Sequence, residues 1–330
     1  MNNNLMPFFV FLAFLCSLII VAIIRKIYYY VRYKKRFYII PRVSIKGISS
    51  IAIVIAISIS IIILITIGSA DLLNVVFRSW PGTRITIEGI LIKIGGLLFG
   101  PFIGLFIGLI TDLLTVVMTA GVFHYGYLIS AMAFGLMSGL ISDIFKSTRK
   151  KGWSRALLGT FILFLTILIM ISFFYFNISS TNLDVYQISF MGMMLNIKIS
   201  ILIGVLTGFI FTTIGIIWLT YLIVIIKRKK TVNKIKEKKM NEFYLTFITV
   251  LVASVICNVM INVIMMPTFD AQLSSIKYNE WLIIRSLLFI PEVVFNCAII
   301  LPIYKIAIVK LDYNYRENLI ESITYPVYID

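Results

Sequence analysis

Seven ionisable side chains, Arg84, Glu88, Lys93, Asp112, His124, Arg285 and Glu292, stand in or at the ends of stretches otherwise apolar enough to dissolve in lipid. Charge at membrane depth is expensive, so each must be paired, reach an interface or bind something. The forked guanidinium groups of Arg84 and Arg285 suit carboxylates, and Asp112 can orient a ligand's polar ring or fix an arginine. Mutual neutralisation is the plainer alternative: Arg285 with Glu292 on successive turns, or Glu88 with Lys93. Around these charges lie rings. Residues 71–84, DLLNVVFRSWPGTR, bring Phe77 and Trp80 beside Arg78 and Arg84, and Phe123, His124, Tyr125 and Tyr127 follow one another closely. Such rings offer flat apolar faces to a planar ligand, or form the aromatic belt of a bilayer interface. Asn258 and Asn262, four apart, project the same way from a helix. Their amides can read the polar edge of a heterocycle or bond a neighbouring helix.

The elements that must hold these groups are visible in the stretch 95–139, GGLLFGPFIGLFIGLITDLLTVVMTAGVFHYGYLISAMAFGLMSG, where glycines recur at four-residue spacing. Small residues four apart share a helix face and let another backbone approach. Gly104, Gly108 and Asp112 share one such face; Tyr127, Ala131, Gly135 and Gly139 share another. Between 90 and 118 a single helix is broken by Gly100 and Pro101, because proline removes a backbone donor and biases its predecessor away from helix. The expected result is a close helix pair with a carboxylate and rings near its outer end.

Composition sets the environment. Of 330 residues, 60% are hydrophobic and 13% charged, and apolar runs of about 20 residues recur, long enough to span a bilayer. The net charge of +16 does not point to nucleic acid, because the basic residues fall in blocks between apolar runs: eight Lys/Arg in 25–46, five in 146–155 and eight in 227–239. Blocks of this kind mark the cytoplasmic side. With those blocks inside, nine spans alternate cleanly at about 7–24, 47–69, 85–99, 102–120, 127–145, 156–176, 195–226, 241–266 and 281–309. The N-terminus is then outside and the C-terminus cytoplasmic. The leader MNNNLMP lacks the positive region of a signal peptide, so the first span reads as a retained anchor.

The expected fold is an all-α, polytopic membrane protein of about nine transmembrane helices. Charge placement divides it into an anchor and basic linker (1–46), a four-helix block (47–149), a two-helix insertion with basic flanks (150–240), two further helices (241–309) and a cytoplasmic tail (310–330). The four-helix block and the last pair carry nearly all the membrane-depth charge, so they are expected to make one six-helix core. No phosphate-cradling loop is present, which argues against an intrinsic ATPase. A single histidine and Cys16, Cys257 and Cys297 in apolar spans offer neither metal-ligand spacing nor a catalytic triad. The chain reads as a non-enzyme that needs no cofactor of its own.

With these residues in view, GGLLFGPFIGLFIGLITDLL, the aromatic stretch after it and LISAMAFGLMSGLI resemble the substrate-binding (S) components of energy-coupling factor vitamin transporters, of the folate and pantothenate type. The matching features are Gly100 and Pro101, Gly104 and Gly108, Asp112 and Leu113, Tyr125 to Tyr127, and Ser130 to Gly139. Ala52-Ile-Val-Ile-Ala56 resembles the family's alanine face for its coupling subunit. Arg285, six residues before Pro291, and Asn262 resemble features of its last two helices. The aromatic loop departs from the pattern, reading Ala120-Gly121-Val122-Phe123-His124-Tyr125-Gly126, and the chain has three spans beyond the usual six.

The resemblance implies a vitamin-capturing subunit in the cell membrane, served by a transmembrane coupling subunit and two ATPases that hydrolyse ATP. Arg84 and Arg285 would hold carboxylates, Trp80, His124, Tyr125 and Tyr127 would pack on the ligand, Asn258 and Asn262 would read its polar edge, and Asp112 would either orient a pterin-like group or fix an arginine. Ala52 and Ala56 would form the docking face. Folate is the first expectation for the vitamin and pantothenate the second. An ion-coupled secondary transporter and a lipid-modifying membrane enzyme are the rival readings.

Overall fold

The computed structural model describes residues 6–33, 45–68, 81–119, 122–148, 152–178, 185–190, 193–229, 234–274 and 276–310. Its helices are α1 (Met6–Tyr33), α2 (Ile45–Gly68), α3 (Pro81–Phe99), α4 (Pro101–Met118), α5 (Tyr125–Ser147), α6 (Gly152–Ile178), α7 (Ile199–Lys229), α8 (Lys234–Cys257), α9 (Met266–Leu273) and α10 (Tyr278–Lys310). A π-helical stretch, Asn258–Met265, joins α8 to α9 without interruption. Counting that run once, the described residues contain nine helical stretches, one for each expected span.

Seven of these stretches are long and apolar enough to cross a membrane: Gly47–Ile65, Pro101–Met118, Tyr125–Ser147, Gly152–Phe176, Ile199–Arg228, Lys239–Leu273 and Tyr278–Ala307. The chain is a multi-pass, helical membrane protein. Outside that set, α3 carries Arg84, Glu88 and Lys93 within its 19 residues. The helical expectation acquires one addition, an antiparallel hairpin of β1 (Val185–Phe190) and β2 (Met193–Lys198), in register from Val185 opposite Lys198 to Phe190 opposite Met193. The seventh span therefore starts at Ile199, because residues 195–198 belong to a strand.

The chain forms two compact units: Met1–Leu140 with Ile303–Asp330, and Ile141–Pro302. In the first, α2 packs on α3 and α4, and α3 packs on α4. Gly100 separates α3 from α4 with φ 88° and ψ 179°, a conformation open essentially to glycine alone, and Pro101 opens α4 where its missing N–H has no helical partner to lose. The expected break therefore stands. The Tyr304 hydroxyl donates to the Leu97 carbonyl at 3.3 Å and ties the last turns of α10 into this unit.

α4 meets the first part of α5 through backbone. A Cβ at Gly104 would lie 2.5 Å from the Gly135 carbonyl oxygen, and a Cβ at Gly135 would overlap the Gly104 carbonyl. Gly108 is closed in the same way by Ala131, and Gly139 by the Gly100–Pro101 peptide. Between lipid-soluble helices there is no water to drive association, so this close van der Waals approach supplies the holding force.

In the second unit, α6, α7 and α8 pack together. Trp218 Nε1 donates to Thr160 Oγ1 at 3.0 Å, and the rings of Phe209 and Phe289 meet edge to face at 5.7 Å. The π-helical stretch explains how helix continues through Pro267, beyond the expected end of the span at 266. At its end the Met266 N–H bonds the Ile261 carbonyl five residues back, so the hydrogen-bond register has already shifted before the residue that lacks a donor.

Candidate functional site

The first unit holds a buried group of three charges. Arg84 lies on the opening turn of α3, Glu88 one turn later, and Asp112 near the end of α4; none is more than 2% exposed. The Arg84 Nη2 donates to Asp112 Oδ1 at 2.8 Å, and its Nε stands 2.9 Å from Glu88 Oε1 as an ion pair without hydrogen-bond alignment. The two carboxyl groups also come within reach of each other. Thus one guanidinium faces two acids. Glu88 pairs with Arg84, four residues away on the same helix face, and Lys93 lies 4.5 Å over the Phe134 ring.

Several polar atoms around this group make no hydrogen bond among the described residues: Glu88 Oε1 and Oε2, Asp112 Oδ2, and the hydroxyls of Thr111 and Thr115. Both threonines are buried on α4, flanking Asp112 in the run Thr-Asp-Leu-Leu-Thr. Neither threonine emerged from the sequence as a candidate, whereas Glu88 stood among the membrane-depth charges. The readable signal was that run itself, which sets two hydroxyls beside a carboxylate in an apolar helix.

At the start of α5 the Gly126 N–H donates to His124 Nδ1 at 3.2 Å, and the His124 ring stands 4.6 Å from that of Tyr125 and 5.4 Å from that of Tyr127. Tyr127 is fully buried and Tyr125 exposed, so the two rings differ: one packs in the unit and the other faces outward. Ala52 and Ala56 are both exposed on α2. Trp80, with Phe77 and Arg78, lies outside the described residues.

The second unit carries its own polar group. Arg285 on α10 pairs with Asp270 on α9, with Nε and Nη2 each 2.9 Å from Asp270 Oδ2. Asp270 is thus an ion-pair partner of Arg285 that the sequence did not suggest. Asp270 escaped the sequence reading because the penultimate span was ended at 266, before Pro267. Asn258 and Asn262 do project together: the Asn262 amide donates to Asn258 Oδ1 at 2.9 Å and to Glu292 Oε2 at 2.7 Å. They do so from the π-helical stretch, whose wider turn brings positions four apart close to one line.

Chemically, both expected carboxylate-binding arginines already hold acids of this chain. What each cluster offers beyond these pairs is acceptor-rich in the first unit and amide-rich in the second. Among the described residues no group of three or more His, Cys, Asp or Glu is placed to hold a metal ion.

The chain is similar to a Mycoplasma pneumoniae protein described as the uncharacterized MG098 homolog, 27% identical over 340 residues that cover 90% of this chain and 69% of that one. No family model matches, and no solved structure does. Sequence composition and helical architecture together establish a multi-pass membrane protein built around two buried polar clusters.

Proposed function

We propose that this protein is the vitamin-capturing subunit of an importer of the energy-coupling factor type, resident in the cell membrane with its N-terminus outside and C-terminus in the cytoplasm. The observation that carries the reading is the α4–α5 pair: backbones pressed together at Gly104 and Gly135, with Arg84, Glu88 and Asp112 buried beside α4. A rigid small-residue pair that fixes ionisable groups in lipid is the construction expected of a substrate site. The exposure of Ala52 and Ala56 favours the second half of the reading, in which α2 docks on a transmembrane coupling subunit driven by two ATPases. The internal pairing of Arg84 and Arg285 argues against a ligand held mainly by its carboxylates. The vitamin is therefore better sought among those that present hydrogen-bond donors, as the pterin end of a folate does, than among simple acids such as pantothenate.

The test is binding of folates, pantothenate, riboflavin, thiamine and niacin to the purified chain without partners, followed by copurification from membranes. Tight binding of one vitamin and recovery of a coupling subunit with ATPases support the proposal. A chain that binds none of the panel and copurifies with no ATPase would sink it.

The π-helical stretch favours a second reading, an ion-coupled secondary transporter, because interrupted helices with polar side chains commonly line ion and substrate paths. Uptake into vesicles that needs an ion gradient but no ATP separates it from the first.

A further inference from the structure

In the second unit, α6 begins where α7 ends and α8 begins, and this end gathers Arg155 on α6, Tyr221 on α7 and Tyr244 on α8. The rings of Tyr221 and Tyr244 lie 5.8 Å apart, tilted by 33°. The start of α6 comes down on both because Gly152 has no side chain: a Cβ there would lie 2.9 Å from Tyr221 Cε2 and 3.7 Å from Tyr244 Cε1. Each of those ring carbons adjoins the one that bears the hydroxyl, so both hydroxyls stand beside the opening turn of α6. Arg155, three residues after Gly152 and so on the same side of α6, lies within electrostatic reach of Tyr244. Arg155 is 9% exposed and Tyr244 2%.

The Tyr244 hydroxyl is the unusual member. A buried tyrosine normally finds a partner for its hydroxyl, as Tyr304 does at the Leu97 carbonyl. The Tyr244 hydroxyl makes no hydrogen bond among the described residues. It stands where a buried guanidinium and the first turn of a 27-residue helix, the positive end of its dipole, both favour negative charge. A guanidinium carries five N–H donors, so contacts within the protein leave room for a ligand. The position along the chain narrows that ligand. Five Lys/Arg in 146–155 and eight in 227–239 flank this end, against Asp143, Glu237 and Glu242, and Glu237 is engaged by Arg228. Blocks of this kind attract anionic headgroups, and Trp153, exposed beside Gly152, is a ring typical of headgroup level. Phosphate oxygens only accept, and the arginine fork matches them.

We infer that Arg155, the Tyr244 hydroxyl and the first turn of α6, with Tyr221 beside them, form a binding site for a phosphate group, carried by an anionic phospholipid headgroup or free in solution. The site shares no residue with either polar cluster described above and does not depend on the vitamin reading. Arg155 supplies the charge, and Tyr244 supplies a donor held in place by packing.

The experiment is thermal unfolding of the purified full-length chain in neutral detergent. In one arm dioleoylphosphatidylglycerol replaces dioleoylphosphatidylcholine at constant total lipid; in the other, inorganic phosphate replaces chloride at constant ionic strength. A midpoint that rises saturably with phosphatidylglycerol, with apparent affinity lowered about tenfold by Tyr244→Phe and by at least as much in Arg155→Gln, identifies the lipid headgroup. A rise with inorganic phosphate that the same variants weaken identifies free phosphate. Tyr244→Phe removes only an unbonded hydroxyl, so its midpoint without either ligand is expected to equal or exceed that of the wild type. If Arg155→Gln fails to fold, Tyr244→Phe alone decides. A phosphatidylglycerol response that Tyr244→Phe leaves unchanged reflects general attraction to the basic blocks and overturns the inference, as does no response in either arm. Neither arm uses a vitamin, so a failure here leaves the substrate test untouched.

Discussion

The two buried arginines of this protein are held in opposite ways. In the second unit Arg285 places two of its nitrogens on a single oxygen of Asp270, and the neighbouring Glu292 accepts from Asn262. In the first unit Arg84 is divided between Glu88 and Asp112, and hydroxyls beside them stay out of the helical hydrogen-bond pattern. The difference lies in how the pairing is built: Arg84 bridges acids on two helices, whereas Arg285 grips a single oxygen of Asp270 with two nitrogens.

The comparison is broken most severely through its scaffold. Gly135→Leu forces a side chain into the Gly104 carbonyl, and the expected outcome is loss of monodisperse folded protein in size-exclusion chromatography. A folded, monodisperse variant would show that α4 and α5 separate without consequence.

Removing one acid from each cluster sharpens it. Asp270→Asn strands Arg285 without its carboxylate and is expected to cost about 3–5 kcal/mol. Asp112→Asn leaves Arg84 with Glu88 as a one-to-one pair, so its cost is expected to be smaller, about 1.5–3 kcal/mol for the lost charged hydrogen bond. Denaturation in mild detergent gives both numbers. Equal or inverted costs would mean that the two arginines are held alike.

Smaller effects follow. Gly100→Ala imposes a side chain on a φ of 88°, and a loss of about 1–2 kcal/mol is expected from the same assay. Asn262→Ala removes donors to Asn258 and Glu292, and about 1 kcal/mol is expected because interhelical polar contacts within membranes are individually modest. A loss as large as that of Asp270→Asn would promote the asparagine pair from secondary to principal support.

The spans were legible because apolar run length is read directly from sequence. Residues 47–69 became Ile45–Gly68, 102–120 became Pro101–Met118, and 281–309 became Tyr278–Lys310. Gly100–Pro101 was legible for the same reason, since both residues carry their backbone preference with them. The glycine face of α4 and α5 followed from four-residue spacing.

Pairing was less legible. Arg84 with Glu88 was available from spacing alone, but Asp112 reaches Arg84 only because α4 packs on α3. Asp270 was hidden because Pro267 looks like a helix end, and only the shifted register of Asn258–Met265 carries the helix through it. The hairpin 185–198 was concealed between two long apolar runs, where 195–198 merged with the following span. Thr111 and Thr115 were visible as residues, but sequence does not reveal which hydroxyls forgo their helix carbonyl.

The most direct test of the functional reading is equilibrium binding of the vitamin panel to the purified full-length chain, wild type and Asp112→Asn, without any partner subunit. The proposal predicts that one donor-bearing vitamin binds tightly and that Asp112→Asn weakens it at least tenfold, a loss of about 1.4 kcal/mol. Absence of binding by every member of the panel, or tight binding left unchanged by Asp112→Asn, would contradict it.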